Sequence, residues 1–124
     1  MIILDEILNI LKFLGYKIYP FGTDKIENCV IYNLIPISSN RVIEQSRLEI
    51  TVICLDIGIG LQMIENIKKV LITLGDNGLN NNILSIELNG GGSLENVETS
   101  TFHFKAFFNI KSKYQEVIKW KELF

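Results

Sequence analysis

Apolar residues open the chain at three- and four-residue steps: Ile3, Ile7, Leu11 and Leu14, joined by Leu4 and Leu8. That period predicts an amphipathic helix. Gly15 stands where a helix commonly stops, since glycine tolerates the left-handed conformation after the last turn. Asp5 and Glu6 near the start and Lys12 near the end suit the helix dipole. Tyr16–Phe21 then reads as a short strand or extended arm broken by Pro20 and Gly22.

From Asn28 to Ser38 the chain turns β-branched and aromatic, and a longer strand is expected from about Val42 to Asp56. Pro36 cannot donate to a ladder, which places it on an edge or at a bulge. In the second strand Leu48, Ile50, Val52 and Cys54 share one face. A turn at 38–41 would set Ile31 beside Leu48 and Cys29 beside Ile50, a buried base. The distal part, Glu44-Gln45-Ser46-Arg47, has no apolar face. The hairpin from Ile35 to Arg47 is therefore expected to project beyond its own core.

A second helix is predicted from Gly60 to about Leu74, with Leu61, Ile64, Ile67, Lys68 and Leu71 in one stripe. Gln62, Glu65, Asn66 and Lys69 mark its wet side, and Gly75 its end. After the polar run Asn80-Asn81-Asn82, the residues Leu84, Ile86 and Leu88 alternate with Ser85 and Glu87. Asn89-Gly90-Gly91-Gly92-Ser93 reads as a flexible hairpin tip. The return strand has Phe102, Phe104, Ala106, Phe108 and Ile110 on one face. Thr99, Thr101, His103, Lys105 and Asn109 lie on the other, with Phe107 the apolar exception. Residues 112–124 carry Tyr114, Val117, Ile118, Lys121 and Phe124 at helical spacing, beside Trp120. A segment so short needs a docking surface, on this core or on a partner.

The order α-β-β-β-α-β-β predicts one α+β domain over residues 1–124. Two helices would pack on an antiparallel sheet of about four to five strands. At 124 residues, 48% hydrophobic and 21% charged, the chain has the makings of a core. Its net charge of −2 argues against a strongly basic nucleic-acid binder, and no sequence-specific nucleic-acid partner is expected. Charged and polar residues interrupt the apolar N-terminal stretch, so it does not read as an export signal. No run reaches the roughly 20 apolar residues of a membrane span. An intracellular protein with Cys29 and Cys54 reduced is expected, a disulfide being the less favoured alternative.

The residues taken alone carry no catalytic signature. Gly58-Ile59-Gly60 lies between strand and helix, where a phosphate loop would sit, but lacks the third glycine of a dinucleotide fingerprint and the Gly-Lys-Ser/Thr ending of a P-loop. A tight turn accounts for it better. His103 has no partner in sequence for general-base work or metal ligation. Glu44, Glu49 and Asp56 would form a glycosidase pair only by facing each other across a cleft. Phe102, Phe104 and Phe108 could stack bases, but their alternation with polar residues points to packing. No catalytic, metal or cofactor-binding residue, and no cofactor, is expected.

The helix ending at Gly15, the run Tyr16-Lys-Ile-Tyr-Pro20, the strands Val30-Ile-Tyr-Asn-Leu-Ile35 and Arg47-Leu-Glu-Ile-Thr-Val-Ile-Cys-Leu-Asp56, one amphipathic helix and a late aromatic hairpin together resemble the tail terminator (tail completion) family of long-tailed bacteriophages, prophages and phage-tail-like particles. The resemblance covers about residues 1–110. It lacks the proline-rich stretch often found before the first of those strands. What it implies is a non-enzymatic virion protein of the tail or neck, assembled in the host bacterial cytoplasm. Such a protein forms a hexameric ring, caps the head-proximal end of the tail tube and stops its polymerisation. Its partners would be further copies of itself, the tail tube protein, the head-tail connector or neck protein and, in a contractile tail, the sheath protein. A neck or head-closure connector is the alternative, and a ligand-binding α+β module a more distant one. Arg41, Glu44, Arg47 and the Gly90, Gly91, Gly92 stretch are the expected contact residues, because a polar strand with unpaired backbone groups invites another chain.

Overall fold

The computed structural model describes residues 2–23, 27–39, 43–77 and 83–113. Its elements run α1 (Ile2–Phe13), β1 (Ile18–Pro20), β2 (Cys29–Ser39), β3 (Ile43–Cys54), α2 (Ile57–Asn77), β4 (Ile83–Asn96) and β5 (Thr101–Lys113). The fold is α+β, in the expected order, with a five-stranded sheet arranged β1-β2-β3-β5-β4. The sheet is mixed: β1 pairs with β2 in parallel, Ile18 opposite Val30, and all other pairs are antiparallel.

Helix α1 ends as its sequence predicts. Gly15 takes φ +88° and its N–H donates to Lys12 O at 2.9 Å. Ile7 and Leu11 are fully buried, while Phe13 at the outer end is 91% exposed. Helix α2 starts three residues before the expected Gly60 and runs past Gly75 to Asn77. Its start is set by Asp56, whose Oδ1 accepts from Gly58 N at 2.7 Å and Ile59 N at 3.3 Å. That is an N-cap, which satisfies helix donors that have no intrahelical acceptor. Gly58 and Gly60 therefore lie in the first helical turn and not in a loop. The buried stripe is Gly60, Met63, Ile64, Ile67 and Leu71, with Leu61 47% exposed at its margin.

Both helices cover one face of the sheet. The core joins Ile7 and Leu11 of α1, Met63, Ile64, Ile67 and Leu71 of α2, and Val30, Leu48, Ile50, Val52, Ala106, Phe108 and Ile110 of the strands. The fully buried larger side chains, Phe108 and Leu48 among them, each contribute about 1.5–3 kcal/mol by leaving water. The β2–β3 register differs from the expected one by three residues. Leu48 faces Leu34, Ile50 faces Tyr32 and Val52 faces Val30, while Ile31 lies opposite Thr51 and Cys29 opposite Ile53. An odd slip sends every side chain to the other face. Cys29, Ile31 and Ile53 consequently form a small separate cluster with Tyr19 on the open face. Pro36 sits beside a bulge, between the Pro36–Ser46 and Ser38–Gln45 pairs.

Gly90, Gly91 and Gly92 are not a hairpin tip. They lie inside β4, where a bulge separates the Leu88–Phe108 and Gly91–Ala106 pairs. The chain instead turns at residues 97–100, with Ser100 at φ +55°. Gly90 needs its φ of +104°, and a Cβ on Gly91 would approach Lys105 O to 2.5 Å. Glycine here serves a bulge and a close strand approach, two of the uses it has inside a sheet. A second bulge, between Ile83 and Ser85, shifts the phase so that Ile83 and Ile86 are buried and Leu84 is 44% exposed. Ser112 and Lys113, assigned by their sequence to a docking segment, complete β5.

Candidate assembly surfaces

The sheet has two free edges among the described residues. Strand β1 covers only Val30–Tyr32 of β2, leaving Ile35–Ser39 unpaired on that side and exposed. At the other end of the sheet, no described strand pairs with the outer side of β4 along its fourteen residues. Each presents a row of backbone donors and acceptors that another strand can satisfy. Among the described residues of the hairpin, the exposed ones lie on its β2 limb. The β3 limb is an interior strand, paired with β5 as far as Ile43–Lys113, and its Ser46 is only 2% exposed.

The expected contact residues are scattered over these surfaces. Arg41 lies outside the described residues. Glu44 is half-buried, opposite Ser39 on one side and Ser112 on the other. Arg47 lies on the open face, its guanidinium 4.4 Å from the centre of the Phe107 ring and 3.7 Å from Glu49. That stack explains the one apolar exception on the polar face of β5. Beside it a hollow of about 70 Å³ is lined by Phe21, Asn33, Glu49 and Thr51. Gly90–Gly92 belong to the free β4 edge, at the opposite side of the sheet from Ile35–Ser39.

A further surface was not read from the sequence. Between the first half of α2 and β4 runs an open groove of about 430 Å³, walled by Leu61 and Leu88 and floored by Phe104. It shares Ser93 and Phe104 with a second hollow of about 300 Å³ reaching Ile57 and Phe102. Ile57, Leu61 and Leu88 are each 44–47% exposed there. The glycines of β4 withhold the side chains that would otherwise fill it, a signal visible in sequence only once their strand assignment is known.

The residues weighed for chemistry are not assembled into a site. Asp56 caps α2, and Glu49 pairs with Arg47 on the open face. Glu44 lies five residues from Glu49 along β3, so their side chains take opposite faces. The His103 ring is 3.2 Å from Thr101 Oγ1, and burial together with neighbouring Lys105 lowers its pKa from 6.5. Cys29 and Cys54 are free thiols buried on opposite faces of the sheet. Burial, reinforced by Asp56, raises the Cys54 thiol, whose Sγ donates to Phe102 O at 3.4 Å. Among the described residues no group of three or more His, Cys, Asp or Glu converges as a metal site would require. No helix there is long and apolar enough to cross a membrane.

Among the described residues, the fold and its surfaces define a two-layer α+β architecture with two sheet edges and an apolar groove open. Against known proteins, no family model matches the chain and no curated protein does either. Among solved structures, the chain is similar to a chain described as "Virion of native gene transfer agent (GTA) particle". The match has a TM-score of 0.59 at 9% sequence identity and covers 83% of each chain. At that identity what is shared is the fold.

Proposed function

We infer that this protein is a non-enzymatic structural component of a phage-like virion, and specifically a tail terminator. It would form a ring on the head-proximal end of the tail tube, stop tube polymerisation and offer its other side to the head connector. The observation that carries this reading is the shared fold, over 83% of both chains, with a chain from a gene transfer agent virion. The resemblance of residues 1–110 to tail terminators supplies the finer assignment. The surfaces fit it physically: the unpaired Ile35–Ser39 edge of β2 and the outer edge of β4 lie at opposite sides of one sheet. Two different surfaces that meet between copies make a head-to-tail contact, which closes into a ring when the rotation allows. Strand addition is a way for such edges to meet, and Gly90–Gly92 lie on one of them.

The test is electron microscopy of particles from a producing strain, wild type and with this gene deleted. A six-fold ring at the tube–neck junction that carries this protein, and overlong or headless tails on deletion, is the expected result. A ring on the connector side alone would make it a neck protein. Particles that assemble unchanged without it would overturn the structural role.

A further inference from the structure

We propose that the fold leaves Asn89-Gly90 as a self-modifying site, at which Asn89 converts to iso-aspartate and aspartate without an enzyme. Asparagine followed by glycine carries both reacting groups of a ring closure, the side-chain carboxamide and the next backbone nitrogen. A strand keeps them apart, because its ladder holds each amide in an extended chain. Here the ladder is interrupted at the dipeptide itself. The register passes from Leu88–Phe108 to Gly91–Ala106 and gives neither Asn89 nor Gly90 a partner on β5. A bulge leaves its extra residue unpaired. Gly90 stands at φ +104°, outside the extended region, and carries no Cβ to crowd the approach to its nitrogen. Both residues are exposed, and no described strand pairs with the outer side of β4, so water reaches the site.

The step balances with water as its only co-reactant. The Gly90 nitrogen, once deprotonated, attacks Asn89 Cγ. The N–Cγ bond forms, the Cγ–Nδ2 bond breaks, and ammonia leaves with the proton that the Gly90 N–H gave up, closing a cyclic imide. Water then opens the imide at one of its carbonyls. Opening at Cγ gives aspartate, whereas opening at the backbone carbonyl routes the main chain through Cγ and gives iso-aspartate. One water is consumed and one ammonia released, with no change of oxidation state. Either product adds a negative charge to β4 near Glu87. Iso-aspartate also lengthens the backbone by one carbon just before Gly91, where an added Cβ would already stand 2.5 Å from Lys105 O. The pairing of Gly91–Asn96 with Thr101–Ala106 then has to shift.

The full-length folded protein is held at pH 8 and 37 °C, and each asparagine is followed by peptide mapping with isoaspartyl methyltransferase labelling. Asn33 and Asn109 are the internal controls. Both are paired in the ladder, opposite Glu49 and Arg47, and are followed by Leu34 and Ile110. Asn89 should convert at least tenfold faster than either, and at no less than a tenth of the rate in a synthetic peptide of residues 85–94. Urea below the unfolding transition raises the unfolded fraction and should leave the rate unchanged. Asn89→Asp carries the charge without the extra carbon, so the iso-aspartate form, separated by chromatography, should melt below it. An Asn89 that stays intact in the folded protein while the peptide converts, or that is no faster than Asn33 and Asn109, overturns the proposal. A rate that climbs with the unfolded fraction also overturns it, by placing the reaction in the unfolded chain. Equal midpoints for the iso-aspartate form and Asn89→Asp would overturn the shift in pairing.

Discussion

At Gly60 α2 packs tightly against side chains of β3 and β5, and substituting it tests the packing argument quantitatively. A Cβ on Gly60 would run into Cys54 Sγ and stand 2.7 Å from Cε2 and 2.9 Å from Cδ2 of Phe104. Alanine is the better helix former by about 1 kcal/mol. Overpacking a tight contact costs about 1–3 kcal/mol. Cys54 is held in β3 and cannot withdraw, which puts the overpacking cost at about 2–3 kcal/mol and leaves a net loss of about 1–2 kcal/mol after the helix-propensity gain. For a chain of this size each 1 kcal/mol moves the midpoint about 3–6 °C. Gly60→Ala should therefore melt about 3–12 °C below wild type in far-UV circular dichroism. Gly58→Ala is the matched control in the same helical turn. Its Cβ meets only Asp56 Oδ1, at 3.1 Å, and the change should be neutral or stabilising by up to about 1 kcal/mol. Adding Cys54→Ala to Gly60→Ala opens the space, so the pair should be less damaging than the sum by about 1 kcal/mol. A Gly60→Ala midpoint at or above wild type, or an equal fall for Gly58→Ala, would refute the close-approach account.

Other consequences are open to measurement. Asp56→Ala should cost about 0.5–2 kcal/mol in urea unfolding by uncapping α2, and Asp56→Asn or Asp56→Ser should restore most of it. Phe108→Ala, at a fully buried site, should cost about 3–5 kcal/mol; Phe104→Ala should cost less, because that ring is half-exposed in the groove floor. His103 has its pKa lowered on folding by burial and Lys105. Between its folded and unfolded pKa values the unfolded chain binds more protons, so stability should be full above 6.5 and decline as pH falls through the depressed folded value. Thermal midpoints from pH 7.5 to 5.5 should show that shallow decline, and His103→Gln should flatten it. Arg47→Glu should destabilise the fold by losing the Phe107 stack and repelling Glu49, so Arg41→Glu is the cleaner test of hairpin-mediated ring assembly, read as ring yield by native mass.

The parts of this protein legible in its sequence are those whose signal is local. The period of Ile7 and Leu11, the glycine after α1 and the alternation of Phe104, Ala106, Phe108 and Ile110 each report which face is buried, whatever the partner. From them the element order and the α+β class followed. Tertiary structure decided what depends on distant partners. The β2–β3 register differs by three residues because both faces of Cys29–Tyr32 are apolar, so pattern alone did not choose between Ile31 and Tyr32 as the residue on the helix side. Gly90–Gly92 have the composition of a turn, and only the continued pairing of β4 with β5 out to Asn96–Thr101 makes them a bulged edge strand. The same long-range pairing created the groove over Phe104 and buried the β3 limb of the hairpin. Backbone flexibility is a property of a residue, whereas an edge, a register or a groove belongs to the assembled sheet.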